Sequence, residues 1–352
     1  MGVPVSFYFF FVLLMLALRD YIKSLSRCKL LSGLLMIYLL WTLSLSFSFA
    51  QLGPGLGSPT VFSMETLQGR PRSADTGVEK QFDATLSVPL WKTEDVIVTS
   101  SLNYQNLSLF GAPFAVVTKT GFESATVNLQ GIIHPGNRDG WLLGATFGSA
   151  SDKIFANSDV FTYNLNVQRR NQLSGQRAFL YGFFYSNNAA ILPGLPIPTL
   201  AYEIQNNDSG DFVRIGFPLV VRQHFNPETK WGLFAIGPII WDLYLKNTTL
   251  TDYHFTLGVQ KRPDTYLLSE PIPGSPLSQL MIEQTSLYGQ VELKHWAMVT
   301  LGLKAAYHFN NRFRLRETGT TRDDFDQKQP IQDYAFVGLN FKLHARAKPR
   351  AQ

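Results

Sequence analysis

Between Glu79 and Leu343 the chain is written in segments of about ten residues in which apolar and polar side chains alternate. In Phe161-Thr-Tyr-Asn-Leu-Asn-Val-Gln168, the residues Phe161, Tyr163, Leu165 and Val167 fall on one side of an extended chain, and Thr162, Asn164, Asn166 and Gln168 on the other. A strand points successive side chains to opposite faces, whereas a helix would spread these residues around its axis. The same sorting recurs at Phe82, Ala84, Leu86, Val88 and Leu90 against Gln81, Asp83, Thr85 and Ser87. It recurs again at Ala125, Val127, Leu129 and Gly131 against Thr126, Asn128 and Gln130. After Ala50 no apolar run reaches spanning length, so strands rather than helices carry the membrane signal.

Composition indicates which solvent the apolar face meets. Only 16% of the residues are charged, against roughly 25% in soluble globular proteins. Aromatic residues reach 13%, with 27 Phe and 14 Tyr, and a soluble protein would have to bury most of that area in a core. A lipid-facing surface removes that requirement.

Two further segments fit the pattern. Val213, Ile215, Phe217, Leu219 and Val221 make an apolar face whose opposite side carries Arg214 and Arg222. Trp231 to Lys246 reads as one long strand with Trp231, Leu233, Ala235, Gly237, Ile239, Trp241, Leu243 and Leu245 on one side. Its two tryptophans stand about 34 Å apart along the strand, or about 24 Å along the membrane normal when tilted, the span of an apolar band. Turn-forming clusters punctuate the segments at 92–95, 134–140, 173–175, 206–210, 226–229 and 310–311, and longer irregular stretches lie at 106–119, 188–198, 262–280 and 317–332. Short turns alternating with longer loops give an all-β fold, a transmembrane antiparallel β-barrel of about 12 strands, within a range of about 10 to 14.

The chain divides into a leader at 1–50, a flexible periplasmic linker rich in Gly, Pro, Ser and Thr at 51–78, the barrel at 79–343 and a basic tail at 344–352. Within the leader, Arg27 and Lys29 precede the apolar run from Leu30, which closes on the small residues of Ser48-Phe49-Ala50. That is the order of a secretory signal peptide, with cleavage between Ala50 and Gln51. The earlier run Val3 to Leu18 is short for a membrane span. It is either a membrane segment or the product of an over-extended start at 1–24, and the second reading is preferred.

Four leader cations, Arg19, Lys23, Arg27 and Lys29, stand against one leader acid, Asp20. They account for three of the five net positive charges, so the mature chain has no strongly basic balance and no nucleic acid partner is expected. The single cysteine, Cys28, lies in the leader, which excludes a disulfide framework or thiolate metal site from the mature chain.

The last segment, Asp333-Tyr-Ala-Phe-Val-Gly-Leu-Asn-Phe-Lys-Leu343, carries Gly338, Phe341 and Leu343, a pattern that resembles the C-terminal insertion signal of outer-membrane barrels. It departs from that signal in ending on Leu rather than Phe and in having nine residues after it. The central region, from Ala189-Ala-Ile-Leu-Pro-Gly-Leu195 through Tyr202 to Ile215-Gly-Phe-Pro-Leu219, is similar to a family of uncharacterised bacterial outer-membrane barrels known as a domain of unknown function. The resemblance covers roughly residues 80 to 343. It implies the bacterial outer membrane as location and carries over no catalytic or binding residue.

Chemistry-bearing motifs are sparse. None of the six histidines is paired at metal-ligand spacing, and no Gly-x-Ser-x-Gly elbow or Gly-rich phosphate loop is present, so no cofactor, metal or catalytic residue is assigned. His254 and Thr256 share one strand face, which is the residue basis for a less favoured reading as a lipid-acting hydrolase. Arg214, Arg222, Glu292 and Lys294 fall on inward faces, either as a charged lining that selects solutes or as mutually paired charges in a narrow, plugged barrel. The leading reading is a non-enzymatic outer-membrane protein passing or gating small solutes; the alternative is an envelope structural or surface-interaction protein with a closed lumen. Expected partners are outer-membrane lipids and, during assembly, periplasmic chaperones and the barrel-insertion machinery.

Export should remove the leader and leave Gln51 as the new N-terminus. N-terminal sequencing of membrane-extracted protein checks this, and retention of Leu30 to Ala50 would overturn the signal-peptide assignment.

Overall fold

The computed structural model of the protein describes residues 60–71, 77–134, 139–189, 193–205, 212–217, 229–236, 240–247, 253–270, 272, 277–296, 299–317, 327–331 and 333–344. The leader, the cleavage site at Ala50 and Gln51 and most of the tail lie outside the described residues. Sixteen strands follow in order: β1 (Thr60–Pro71), β2 (Gly77–Lys92), β3 (Val96–Phe110), β4 (Gly121–Ile133), β5 (Gly140–Ser151), β6 (Phe161–Ser174), β7 (Arg177–Ser186) and β8 (Ile197–Gln205). They continue as β9 (Phe212–Phe217), β10 (Thr229–Ile236), β11 (Ile240–Asn247), β12 (Tyr253–Leu267), β13 (Leu277–Trp296), β14 (Val299–Glu317), β15 (Gln327–Ile331) and β16 (Tyr334–His344).

All belong to one sheet in which strands adjacent in the chain pair antiparallel, from β1 through β9 and from β10 through β14. β14 carries β15 on its last residues and β16 on its first, so those two strands together form the next stave. β16 then pairs antiparallel with β1 along its whole length, joining the two ends of the barrel sequence. The ends of this path, β9 and β10, are themselves consecutive in the chain, so the order returns on itself as a ring. In lipid every backbone N–H and C=O needs an internal partner, and a strand-built protein meets that demand by closing its sheet. The chain is a transmembrane β-barrel of the outer-membrane type.

The alternation is realised as lipid outside and a polar lumen inside. On β4, Val127 and Leu129 are exposed outward while Asn128 turns in; on β6, Tyr163 and Leu165 are exposed and Thr162, Asn164 and Asn166 are inward. Short turns join β2 to β3 and β6 to β7 at the end where β1 begins and β16 finishes, while the strand ends that flank 111–120, 187–196, 268–276 and 318–326 lie at the opposite end. Outer-membrane barrels keep short turns on the periplasmic side and longer loops outside. Trp91 and Trp141 lie outward at the turn end, with the Arg169 guanidinium 5.2 Å from the Trp141 ring centre. Trp241 lies nearer the loop end, in register with Lys261. These positions suit the two aromatic girdles of a membrane barrel.

Three sequence expectations are corrected. The stretch 51–78 contains β1 and the start of β2 and is not wholly a linker. Its alternation is hidden because both faces of β1 are mixed, Phe62, Met64, Thr66 and Gln68 outward against Val61, Ser63, Glu65 and Leu67 inward. The segment Trp231 to Lys246 is two strands, β10 and β11, paired from Thr229–Asn247 to Ile236–Ile240. Pro238 has no N–H for a ladder, and Gly237-Pro238 supplies the turn signal. Asn310-Asn311 is no turn but a bulge inside β14, where Thr285–Phe309 pairing steps to Glu283–Arg312. The first two raise the stave count above the expected 12.

The two faces give a direct test. Leu165→Arg should cost about 2 to 4 kcal/mol of folding free energy in vesicles, the penalty for a cation on the lipid face near mid-bilayer, while Asn164→Arg or Asn166→Arg costs much less. Equal penalties, measured by denaturant titration, would mean that the faces are assigned wrongly.

Candidate functional site: the lumen and its lid

The lumen near the turn end is lined with ion pairs. Glu292 of β13 is nearly fully buried and accepts from Lys246 of β11 at 2.9 Å, Lys342 of β16 at 2.5 Å and Gln290 at 2.9 Å. Glu203 of β8 accepts from Arg170 of β6 at 3.1 Å and from Arg214 of β9 at 2.6 Å. Asp242 of β11 accepts from the Tyr288 hydroxyl at 3.0 Å, and that ring lies over Gly258, where a side chain would collide with it. A buried charge that is paired and hydrogen-bonded avoids most of the desolvation cost of an isolated one.

Of the residues singled out from sequence, Arg214 is paired with Glu203, and Glu292 with Lys246 and Lys342. They sit on different walls, in separate clusters, so the four expected charges do not form one site. Arg222 lies outside the described residues, and Lys294 is placed only by its backbone in β13. Gly338 faces inward, and a Cβ there would strike the Thr66 carbonyl and the Leu67 side chain, so this glycine permits the close approach of β16 to β1. Phe341 and Leu343 occupy the opposite, outward face, with the Phe341 ring 6.2 Å from Phe62 across the same seam.

At the loop end the lumen is crossed. Above the level of Pro263, Glu283 and Arg312, which are register neighbours, β13 and β14 reverse their chemistry, and β12 follows at Tyr266, beyond the inward Arg262 and Asp264. Below that level their outward residues are apolar, as at Leu257, Leu287 and Leu303, and their inward residues polar. Above it, Tyr266, Leu280, Ile282, Phe313 and Leu315 face inward into an apolar cluster with Leu107, Phe122 and Phe336, while Gln279, Glu283 and Arg316 occupy the other face and are also buried. The rings of Phe122 and Tyr266 stand 5.2 Å apart although β4 and β12 are on opposite sides of the ring.

The polar face of this segment is fastened to the far wall. Leu267 makes a parallel bridge with Ser151 of β5. The Asn188 side chain donates to the Thr265 carbonyl at 3.1 Å, and the Thr265 hydroxyl donates back to the Asn188 carbonyl at 2.8 Å. Ser269 donates to Asp152 through both its backbone N–H at 2.7 Å and its hydroxyl at 2.9 Å, and its carbonyl accepts from Asn157 at 2.9 Å. Arg316 donates to the Ala189 carbonyl at 2.5 Å. The ends of β12–β14 thus form a lid, apolar on one side and latched by hydrogen bonds on the other. Asn188, Ala189, Thr265, Leu267 and Ser269 of this latch lie in stretches that the sequence pattern gives as irregular loops, and their partners Ser151, Asp152, Asn157 and Arg316 carry no motif that would mark them.

His254 and Thr256 both face the lumen, in register with Glu292 and Gln290. Both oxygens of Glu292 already accept from lysines, so that carboxylate is not placed to orient a catalytic histidine. Among the described residues, no group of three or more His, Cys, Asp or Glu side chains is arranged to hold a metal ion.

No family model matches the sequence, and no curated protein matches it. Solved structures of outer-membrane proteins align with most of it. The NanC porin aligns over 80% of this chain and 98% of its own, with a TM-score of 0.30 and 10% identity. An outer membrane channel from Pseudomonas putida F1 aligns over 83% of this chain and 100% of its own, with a TM-score of 0.32 and 10% identity. LpxR from Salmonella typhimurium aligns over 80% and 99%, with a TM-score of 0.31 and 9% identity. At these values the likeness assigns no substrate. The resemblance drawn from residues 189–219 is to outer-membrane barrels, and the ring order of antiparallel strands agrees with that fold.

Removing the acid of the turn-end cluster should expose its role. Glu292→Ala leaves Lys246 and Lys342 facing each other without a counter-charge, an expected loss of about 1 to 3 kcal/mol moderated by lumen water. Adding Lys246→Met and Lys342→Met should restore most of it, as read by urea midpoint in vesicles.

Proposed function

We propose that this protein is a gated outer-membrane path for small polar solutes, with the β12–β14 lid as its gate. The observation that carries this reading is Arg262. Its side chain lies in the lumen beneath the lid yet keeps 63% of its exposure, so the interior there has room for water. A lumen filled by side chains, as in the smallest barrels, would leave a guanidinium no such freedom. The paired lysines and arginines lining the walls supply a polar path, and the latch consists of individual hydrogen bonds that water can replace.

The apolar packing of Phe313, Leu315 and Tyr266 against the opposite wall favours a second reading, a permanently closed barrel with a structural or surface-interaction role. Planar-bilayer recording separates the two. Wild-type protein should conduct only in brief openings. Thr265→Val combined with Ser269→Ala, which removes two side-chain latch bonds worth about 0.5 to 1.5 kcal/mol each, should raise open probability roughly tenfold. Silence from wild type and latch variant alike, with both folded, would favour the closed barrel.

A further inference from the structure

Beneath the lid, β1, β2, β12, β13 and β14 enclose a chamber of about 70 Å³ whose lining includes Asp83, Arg262, Asp264, Gln284, Lys304 and His308. Charges of both signs face it, and they are not equally engaged. Lys304 is paired with Glu65 at 2.8 Å. Arg262 has Asp264 at 3.6 Å, too far for a hydrogen bond, so its fork of donors is left largely free. Asp83, on the wall across from β12, accepts from Gln81 at 2.8 Å through one of its two oxygens.

A second observation points to the same place. The Gln284 Nε2 and His308 Nδ1 atoms are buried and have no hydrogen-bond partner among the described residues, as do the hydroxyls of Tyr266 and Tyr334. All four residues are more than nine-tenths buried. His308 lines the chamber and stacks on Tyr334 at 4.8 Å between ring centres. Buried polar atoms are rarely left unmet in folded proteins, and two of these, Gln284 Nε2 and His308 Nδ1, at one polar chamber mark capacity for a polar guest.

We propose that the chamber is a binding site for small zwitterions, solutes of amino-acid type carrying one carboxylate and one ammonium. The planar guanidinium of Arg262 takes a carboxylate through two parallel hydrogen bonds. Asp83 and Asp264 take the ammonium, whose three donors suit carboxylate oxygens. A simple anion would meet the two aspartates, and a simple cation would meet Arg262 and Lys304; a zwitterion satisfies both signs at once. Glycine and alanine are the smallest solutes of this type and serve as its first probes. The inference rests on the lumen being reached by solute, as in the gated-path reading, but not on passage through the lid.

Equilibrium binding of radiolabelled glycine and alanine to the full mature protein, folded in detergent, tests it, with acetate and methylammonium as single-charge probes. Each zwitterion should bind at least about tenfold more tightly than either probe. Arg262→Gln and Asp83→Asn should each weaken glycine binding by roughly tenfold or more while heat-modifiable gel migration stays unchanged. Arg262→Lys, which keeps the charge and removes the fork, should fall between. Acetate or methylammonium binding as well as glycine, no saturable glycine binding, or variants that fold and bind like wild type would each overturn the assignment. Conductance without zwitterion binding would sink this inference and leave the gated path standing, whereas binding without conductance would do the reverse.

Discussion

Everything in this molecule depends on the need to satisfy backbone hydrogen bonds where water is absent. A sheet edge in hydrocarbon would leave a row of N–H and C=O groups unpaired at several kcal/mol each, so the sheet has to come back to its own beginning. The seam between β16 and β1 performs that return, and its closeness depends on Gly338, the position where a side chain would push the two strands apart. Once the ring is imposed, each strand has one face to lipid and one to the interior, and a period of two in the sequence becomes a partition between solvents.

The interior then has to be compatible with charge. It manages this by pairing acids with two bases each: Glu292 with Lys246 and Lys342, Glu203 with Arg170 and Arg214, and Glu283 with Arg312 and Arg314. Such clusters hold staves to one another from within, a task that apolar packing performs in a soluble sandwich. Arg262 departs from this rule among the described residues, being a lumen cation with room around it, which is why it carries so much of the functional reading.

The sequence was most legible where a strand faces two uniform solvents. Phe161–Gln168 and Ala125–Gly131 sort cleanly because lipid selects one face and a wet lumen the other. β1 was illegible because Glu65 and Leu67 share its inner face, one pairing with Lys304 and the other packing beneath the lid. Alternation gives an expected direction for Arg214 and Glu292 but not their partners, since strand register decides which stave brings a lysine to Glu292. Lys246 and Lys342 were visible only as polar-phase residues of their own strands. The lid was hidden for a different reason: above the level of Glu283 the apolar residues turn to a protein core, so the same alternation carries the opposite meaning.

In β12 and β13 that reversal is written in composition, with polar and apolar residues exchanging places while the strand keeps its phase. β14 achieves it with one additional residue. Its odd-numbered positions are apolar from Leu301 through Phe309 and again at Phe313 and Leu315, with only Asn311 between them polar, yet Leu301 faces lipid and Leu315 is buried in the lid. Asn310, at φ 51, supplies the extra residue, and the Asn311 side chain accepts from the Thr285 N–H at 3.2 Å beside the break in the ladder. The bulge thus works as a change of reading frame, splitting one odd-numbered hydrophobic phase into a membrane word and a soluble-protein word. Without that residue Phe313 and Leu315 would turn away from the core and three arginines would turn into it, so a single codon separates a plain barrel wall from a wall that ends in its own lid.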